Sequence, residues 1–220
     1  MYDNSTRFGV LALPVYGLLV FLSTLSHQPD YRTDFLAYAE YVTTTGFLVS
    51  HLVGSILGTT IGLVGVLALF AVLAATGARR LALRGLVLSV AGMAFIMTLF
   101  GAAAFAQPAI GRAYLAGQQA AVAINSDLYG APAVVVGLTG GLLYSAGAAL
   151  LGVAVWRSGT LPPWTGVLYA VAVPLIAVVG LAVGVAQPVG AVLLIVSGAW
   201  IARTVWARPV RARAGSHARS

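Results

Sequence analysis

The run FLVSHLVGSILGTTIGLVGVLALFAVLAA at residues 47–75 decides the fold. It is 29 residues long and holds a single titratable side chain, His51. The hydrocarbon core of a bilayer is about 30 Å thick and takes about 20 helical residues to cross. The run is long enough to span it. It also lacks the period-two alternation of a membrane-barrel strand, so it reads as a transmembrane helix. Ser50, Gly54, Gly58 and Gly62 recur every four residues along it. That spacing puts them on one helix face, where missing side chains let a neighbouring backbone approach closely in lipid.

Outward from this run, five more stretches have the same character: Phe8–Leu25, Leu81–Ala106, Pro132–Trp156, Thr165–Ala186 and Val189–Val205. The expectation is an all-α integral membrane bundle of six transmembrane helices. It forms one domain over residues 1–206, followed by a basic tail at 207–220 in which Pro209 and Gly215 oppose helix. Composition agrees, with 60% hydrophobic and 8% charged residues in 220 and a mean hydropathy of +0.97. A soluble domain carries about a quarter charged residues, and a disordered chain is polar, so both classes are excluded. The first stretch follows one arginine only, and Ser23-Thr24-Leu25-Ser26 lacks a small-x-small cleavage pattern. It is therefore expected to be retained as a helix rather than removed as a signal peptide.

Charge sets the orientation. All twelve basic residues are arginine, which excludes lysine Schiff-base chemistry, and there is no cysteine. With six spans, one side carries Arg7, Arg79, Arg80, Arg84, Arg157, Arg203, Arg208, Arg211, Arg213 and Arg219. The other carries Arg32 and Arg112 with the acids Asp30, Asp34, Glu40 and Asp127. Basic residues stay on the cytoplasmic side, so both termini are expected in the cytoplasm of a cell with the protein in its inner (plasma) membrane. Trp156, Trp164, Trp200 and Trp206 fall at the same helix ends, where indole rings anchor at the headgroups. The arginines form no basic stripe on a soluble face, so nucleic acid is not an expected partner.

An internal repeat is legible as well. Gln107-Pro108 with Gly111 after it, and Gln187-Pro188 with Gly190 after it, are about 80 residues apart. The row Ser50, Gly54, Gly58, Gly62 has a counterpart in Gly137, Gly141, Ser145 and Ala149. Helices 2–3 and 4–5 thus read as a parallel duplication. Gly54, Gly58, Gly62, Gly137 and Gly141 are expected to pack against neighbouring helices. Each Gln-Pro reads first as a helix boundary, and secondarily as a glutamine lining an outer site.

Titratable groups inside a membrane are costly and usually functional. His51 is the one candidate within a span, and Glu40, Thr44, His51, Ser55 and Thr59 follow at helical spacing as a polar stripe. Two outer connections, Ser26–Gly46 and Gln107–Ala131, are long enough to cover a cleft. The second holds an expected surface helix over Arg112–Ile124, and Tyr31, Phe35, Tyr38 and Tyr41 of the first are expected at the interface. The best reading is a lipid-like or other amphiphilic ligand in an outward-facing cleft. Its expected ligand-binding residues are His51, Ser55, Glu40, Gln107 and Gln187. The alternatives are an accessory subunit of a larger membrane complex, or a haem- or quinone-binding redox protein using His51, with His27 as the nearest second histidine. No catalytic motif, metal-ligand spacing or cofactor fingerprint stands out. The partners expected are membrane lipids and a second copy or another membrane protein.

Overall fold

The structure, a computed structural model, describes residues 2–26 and 28–208. It is all-helical, at 82% helix with no strand among the described residues, and six helices are long and apolar enough to cross a membrane. Their order is α1 (Asn4–Ser23), α2 (Phe35–Val42), α3 (Thr45–Ala74), α4 (Arg79–Leu115), α5 (Ala120–Leu128), α6 (Ala131–Ser158), α7 (Pro163–Ala177) and α8 (Ala186–Trp206). The short helices α2 and α5 sit on the connections, and the others span. The expected tail is described only at Ala207 and Arg208. Arg211, Arg213, His217 and Arg219 lie outside the described residues, as does His27.

Local chemistry explains the boundaries. Asp3, Asp34 and Thr44 each accept a hydrogen bond from a first-turn backbone N–H, at 2.8, 2.9 and 3.1 Å, and so cap α1, α2 and α3. Gly159 ends α6 in the left-handed conformation, φ 60°. Pro162 and Pro163 then open α7, where a missing N–H costs nothing.

Each spanning helix packs on its neighbours in sequence, and α8 returns to pack on α1, which closes the six into a ring. Across that last seam Arg7 Nη2 donates to the Trp206 carbonyl at 2.7 Å, and Trp206 Nε1 donates to the Arg7 carbonyl at 2.8 Å. The face holding these chain ends is the terminal face, and its opposite is the distal face. The deepest packing is glycine against backbone. A Cβ on Gly92 would stand 2.6 Å from the Gly140 carbonyl oxygen and still closer to the Tyr144 nitrogen. A Cβ on Gly85 would stand 2.9 Å from the Gly147 carbonyl. Below the ring centre Leu13, Val66, Leu69, Leu86 and Leu151 fill the interior.

Three expectations change. Pro108 does not end the third span: α4 runs through it for 37 residues, about 55 Å, and the expected surface helix over Arg112–Ile124 is divided between α4 and α5. Packing overrides the proline. The bare face at Gly111 admits the backbone of α2, with the Ala39 carbonyl 3.0 Å from where a Cβ would be. Gln187-Pro188 lies in the first turn of α8 rather than at the end of the fifth span, so the two Gln-Pro pairs occupy different places. The aromatic residues of the first outer connection pack on one another instead of facing lipid singly. Tyr38 is fully buried with Val42 and Phe47, and Phe35 stacks 4.7 Å from Tyr114.

Candidate functional site

The second span is not a regular α-helix. Ser50–Leu57 is π-helical, between α-helical Thr45–Val49 and Gly58–Ala74. Such wide turns interrupt the α pattern and recur at functional sites. His51, Gly54 and Ser55 lie on this segment. His51 Nδ1 is 3.0 Å from the Phe47 carbonyl oxygen, and the ring stacks on Phe47 at 4.1 Å. A carbonyl only accepts, so Nδ1 carries a proton in this contact.

The wide turn borders a cavity of about 280 Å³ enclosed by the distal half of the ring. Its lining changes character with depth. At the mouth are Ser23, Thr24, Gln28, Tyr41, His51 and Gln187. Below them Val20, Ile96, Leu99, Phe100, Ile176 and Leu181 form an apolar wall, crossed on α3 by the polar Ser55. At the floor are Tyr16, Thr59, Met93 and Tyr144. His51 and Thr59 are eight residues apart, so mouth and floor are separated by about two turns of α3.

Of the expected ligand-binding residues, His51, Ser55 and Gln187 line this cavity. Gln107 stands one contact behind the mouth. It is buried, its Nε2 donates to the Tyr129 hydroxyl, and its Oε1 accepts from Gln28 Nε2 at 3.5 Å. Glu40 is exposed on α2 and is not among the lining residues. The polar stripe breaks at the turn between α2 and α3, and only its lower part, His51, Ser55 and Thr59, faces the cavity. Among the packing glycines, Cβ atoms on Gly54, Gly62 and Gly141 would meet Ser23 Cβ at 2.9 Å, the Tyr16 ring at 2.9 Å and the Ala177 carbonyl at 2.6 Å. Gly58 has ordinary contact with Leu19 Cβ at 3.4 Å, and Gly137 meets the tip of Leu99 at 3.0 Å.

The floor tyrosines were not singled out in the sequence. Their available signal was a phenol inside an otherwise apolar span, which needs a hydrogen-bond partner there. The hydroxyls of Tyr16, Tyr144 and Tyr169 neighbour one another. Those of Tyr144 and Tyr169 nevertheless have no partner at hydrogen-bonding geometry.

The distal cap is held by one buried bond, from the Tyr38 hydroxyl to Asn125 Oδ1 at 2.8 Å. Burial pushes the Tyr38 phenol up from its usual range, and the neighbouring tyrosines add to this. On the terminal face a second concavity of about 320 Å³ is lined by Arg80, Arg84 and Arg157 with Gly77, Ala78 and Leu81. No group of three or more His, Cys, Asp or Glu residues that could hold a metal occurs among the described residues. Comparison with protein-family models, with curated proteins and with solved structures finds no match.

Proposed function

We propose that the protein binds a lipid-like or other amphiphilic small molecule in the distal cavity, and that this cavity faces outward from the cell membrane. The observation that carries the reading is the cavity's lining, mostly apolar, with its polar groups gathered at the mouth and along one row of α3. Pockets for small ligands have this makeup, with a few polar groups fixing orientation. The π-helical segment supports it by placing His51 and Ser55 on the cavity side of α3.

Orientation belongs to the same proposal. Ten arginines against two, and four tryptophans at the terminal face, favour cytoplasmic termini and the plasma or inner membrane. Arg80, Arg84 and Arg157 are then placed to meet inner-leaflet phosphates. The parallel duplication is a proposal too. In its favour, Gly54 and Gly62 of α3 meet the preceding span, as Gly137 of α6 meets its own, although Gly141 meets the following span at Ala177.

The test is mass spectrometry of lipid that co-purifies from a mild detergent. His51→Ala and Gln187→Ala are expected to lose the bound molecule while keeping the fold. Retention unchanged in both variants would remove the reading. For orientation, tags at residues 1 and 220 should report cytoplasm and a reporter after Asp127 the outside. An external label reaching Arg79 or Arg157 would overturn it.

A further inference from the structure

The distal rim of the ring is uneven. Ring order puts three long helices side by side, α3 with 30 residues, α4 with 37 and α6 with 28. The three opposite are shorter, α7 with 15, α8 with 21 and α1 with 20. All six reach the terminal face, so the difference falls at the distal end. We infer that the distal cavity opens sideways over this low rim, across a corner between α7 and α8 that is submerged in the apolar layer. Its ligand is then a membrane-dissolved lipid entering from the distal leaflet rather than from water, an inference that rests on the amphiphile-binding reading.

Depth comes first. α7 starts beside the exposed Trp164, at headgroup level, and rises about 22 Å before its α-helix ends. The apolar layer is about 30 Å thick, so residues 178–185 lie within it or at its edge.

The chemistry of the corner suits that depth. Residues 175–186 read LIAVVGLAVGVA, with no charged, amide or hydroxyl side chain. The other two distal connections carry Asp30, Arg32 and Asp34, and Gln118, Gln119 and Asp127. Irregular backbone facing lipid must satisfy its own polar groups, because no water is there to do so. In the corner the N–H groups of Val178, Leu181, Ala182, Val183 and Ala186 each donate to a carbonyl three or four residues back, at 2.9–3.2 Å.

The opening follows from exposure. Only two of the cavity's described lining residues are exposed, and both stand on the low rim: Ser26, just beyond α1, and Leu181 in the corner. Leu181 lines the cavity yet is 65% exposed, so it belongs to the wall and to the outside at once. An opening at this depth meets acyl chains.

The chain has no cysteine, so single cysteines place probes without a background. Val183→Cys and Gln118→Cys, both at exposed positions, are spin-labelled in the full chain reconstituted into phosphatidylcholine vesicles. Oxygen concentrates in hydrocarbon, whereas a water-soluble nickel chelate is kept out of it. The Val183 label should be several-fold more accessible to oxygen than to the chelate, and the Gln118 label the reverse. In the same vesicles, phosphatidylcholine with a diazirine halfway along one acyl chain should cross-link to the buried floor at Tyr16, Thr59 or Met93. Leu181→Arg, which sets a charge in the opening, should lose the floor cross-links several-fold and leave those at the exposed Leu142 of α6 unchanged. A Val183 label reached by the chelate as readily as the Gln118 label would overturn the inference. Floor cross-links undiminished in Leu181→Arg would overturn it too. Cross-links at the corner but none at the floor, in protein that still co-purifies with lipid, would overturn it and leave amphiphile binding standing. Absence of both co-purifying lipid and floor cross-links in the native chain would remove the amphiphile reading itself.

Discussion

Where α4 crosses α6 toward the terminal face, Gly85, Ser89 and Gly92 meet Gly140, Tyr144 and Gly147 backbone to backbone, and nothing else fits between them. Where the same two helices diverge toward the distal face, Gly137 meets only the tip of Leu99, and Gly101 has no neighbour within 4 Å. The residue type is the same in both regions. In the first, glycine removes side chains so that two helices fuse into one wall. In the second, it leaves room, and Gly137 borders the cavity there. A small residue in a membrane helix therefore reports closeness only when its partner is known.

The largest effect should come from breaking the closed region. Gly92→Leu drives four carbons into the Tyr144 backbone and should cost roughly 3 kcal/mol or more, read as lost thermal stability by circular dichroism. Gly137→Ala should stay within about 1 kcal/mol of the native protein, since the end of Leu99 can turn aside. Equal losses at the two sites would erase the distinction between the regions.

The open region should respond in binding rather than in stability. His51→Ala is expected to lower stability by about 1 kcal/mol at most, typical of a hydrogen bond within a membrane protein, while stripping the bound amphiphile. A stability loss several times larger, with the ligand retained, would make His51 a packing residue.

The cap over the open region gives a smaller, pH-dependent effect. Tyr38→Phe removes the bond to Asn125 and should cost about 1 kcal/mol. Folding holds the Tyr38 phenol protonated beyond its usual value near 10. Its contribution is therefore complete below about pH 10 and is lost as the pH rises through the raised folded value. Hydrogen exchange of α2 should accelerate over that range in the native protein and lose the dependence in Tyr38→Phe. The smallest effect is expected from Glu40→Gln, which should change neither retention nor melting because the carboxylate stands clear of the cavity.

Spans were legible because transfer of apolar residues into lipid is decided by composition along a single segment. The wide turn at Ser50–Leu57 was not, because nothing in an apolar run distinguishes one backbone hydrogen-bond period from another. Pro108 misled for a related reason. Proline's local penalty is readable, but the packing of α2 at Gly111 that outweighs it comes from a distant segment. The mouth was half legible, since His51 and Ser55 share one helix, and Gln187 was found only through its repeat motif. The floor was not, because Tyr16 and Tyr144 stand on helices with more than a hundred residues between them. Glu40 was grouped with His51 and Ser55 by extending one helical period across the turn before Thr45, and that turn sets it clear of the cavity.

The mutual hydrogen bonds of Arg7 and Trp206 have a consequence for the chain as a string. The first and last spans touch as closely as spans joined by a turn, so the order of the helices around the ring has no natural starting point. Joining the two ends and reopening the chain at Gly159, in an exposed turn, would preserve the helix neighbours. A circular permutant made this way should assemble the same bundle, and its new ends would emerge beside Trp156 and Trp164.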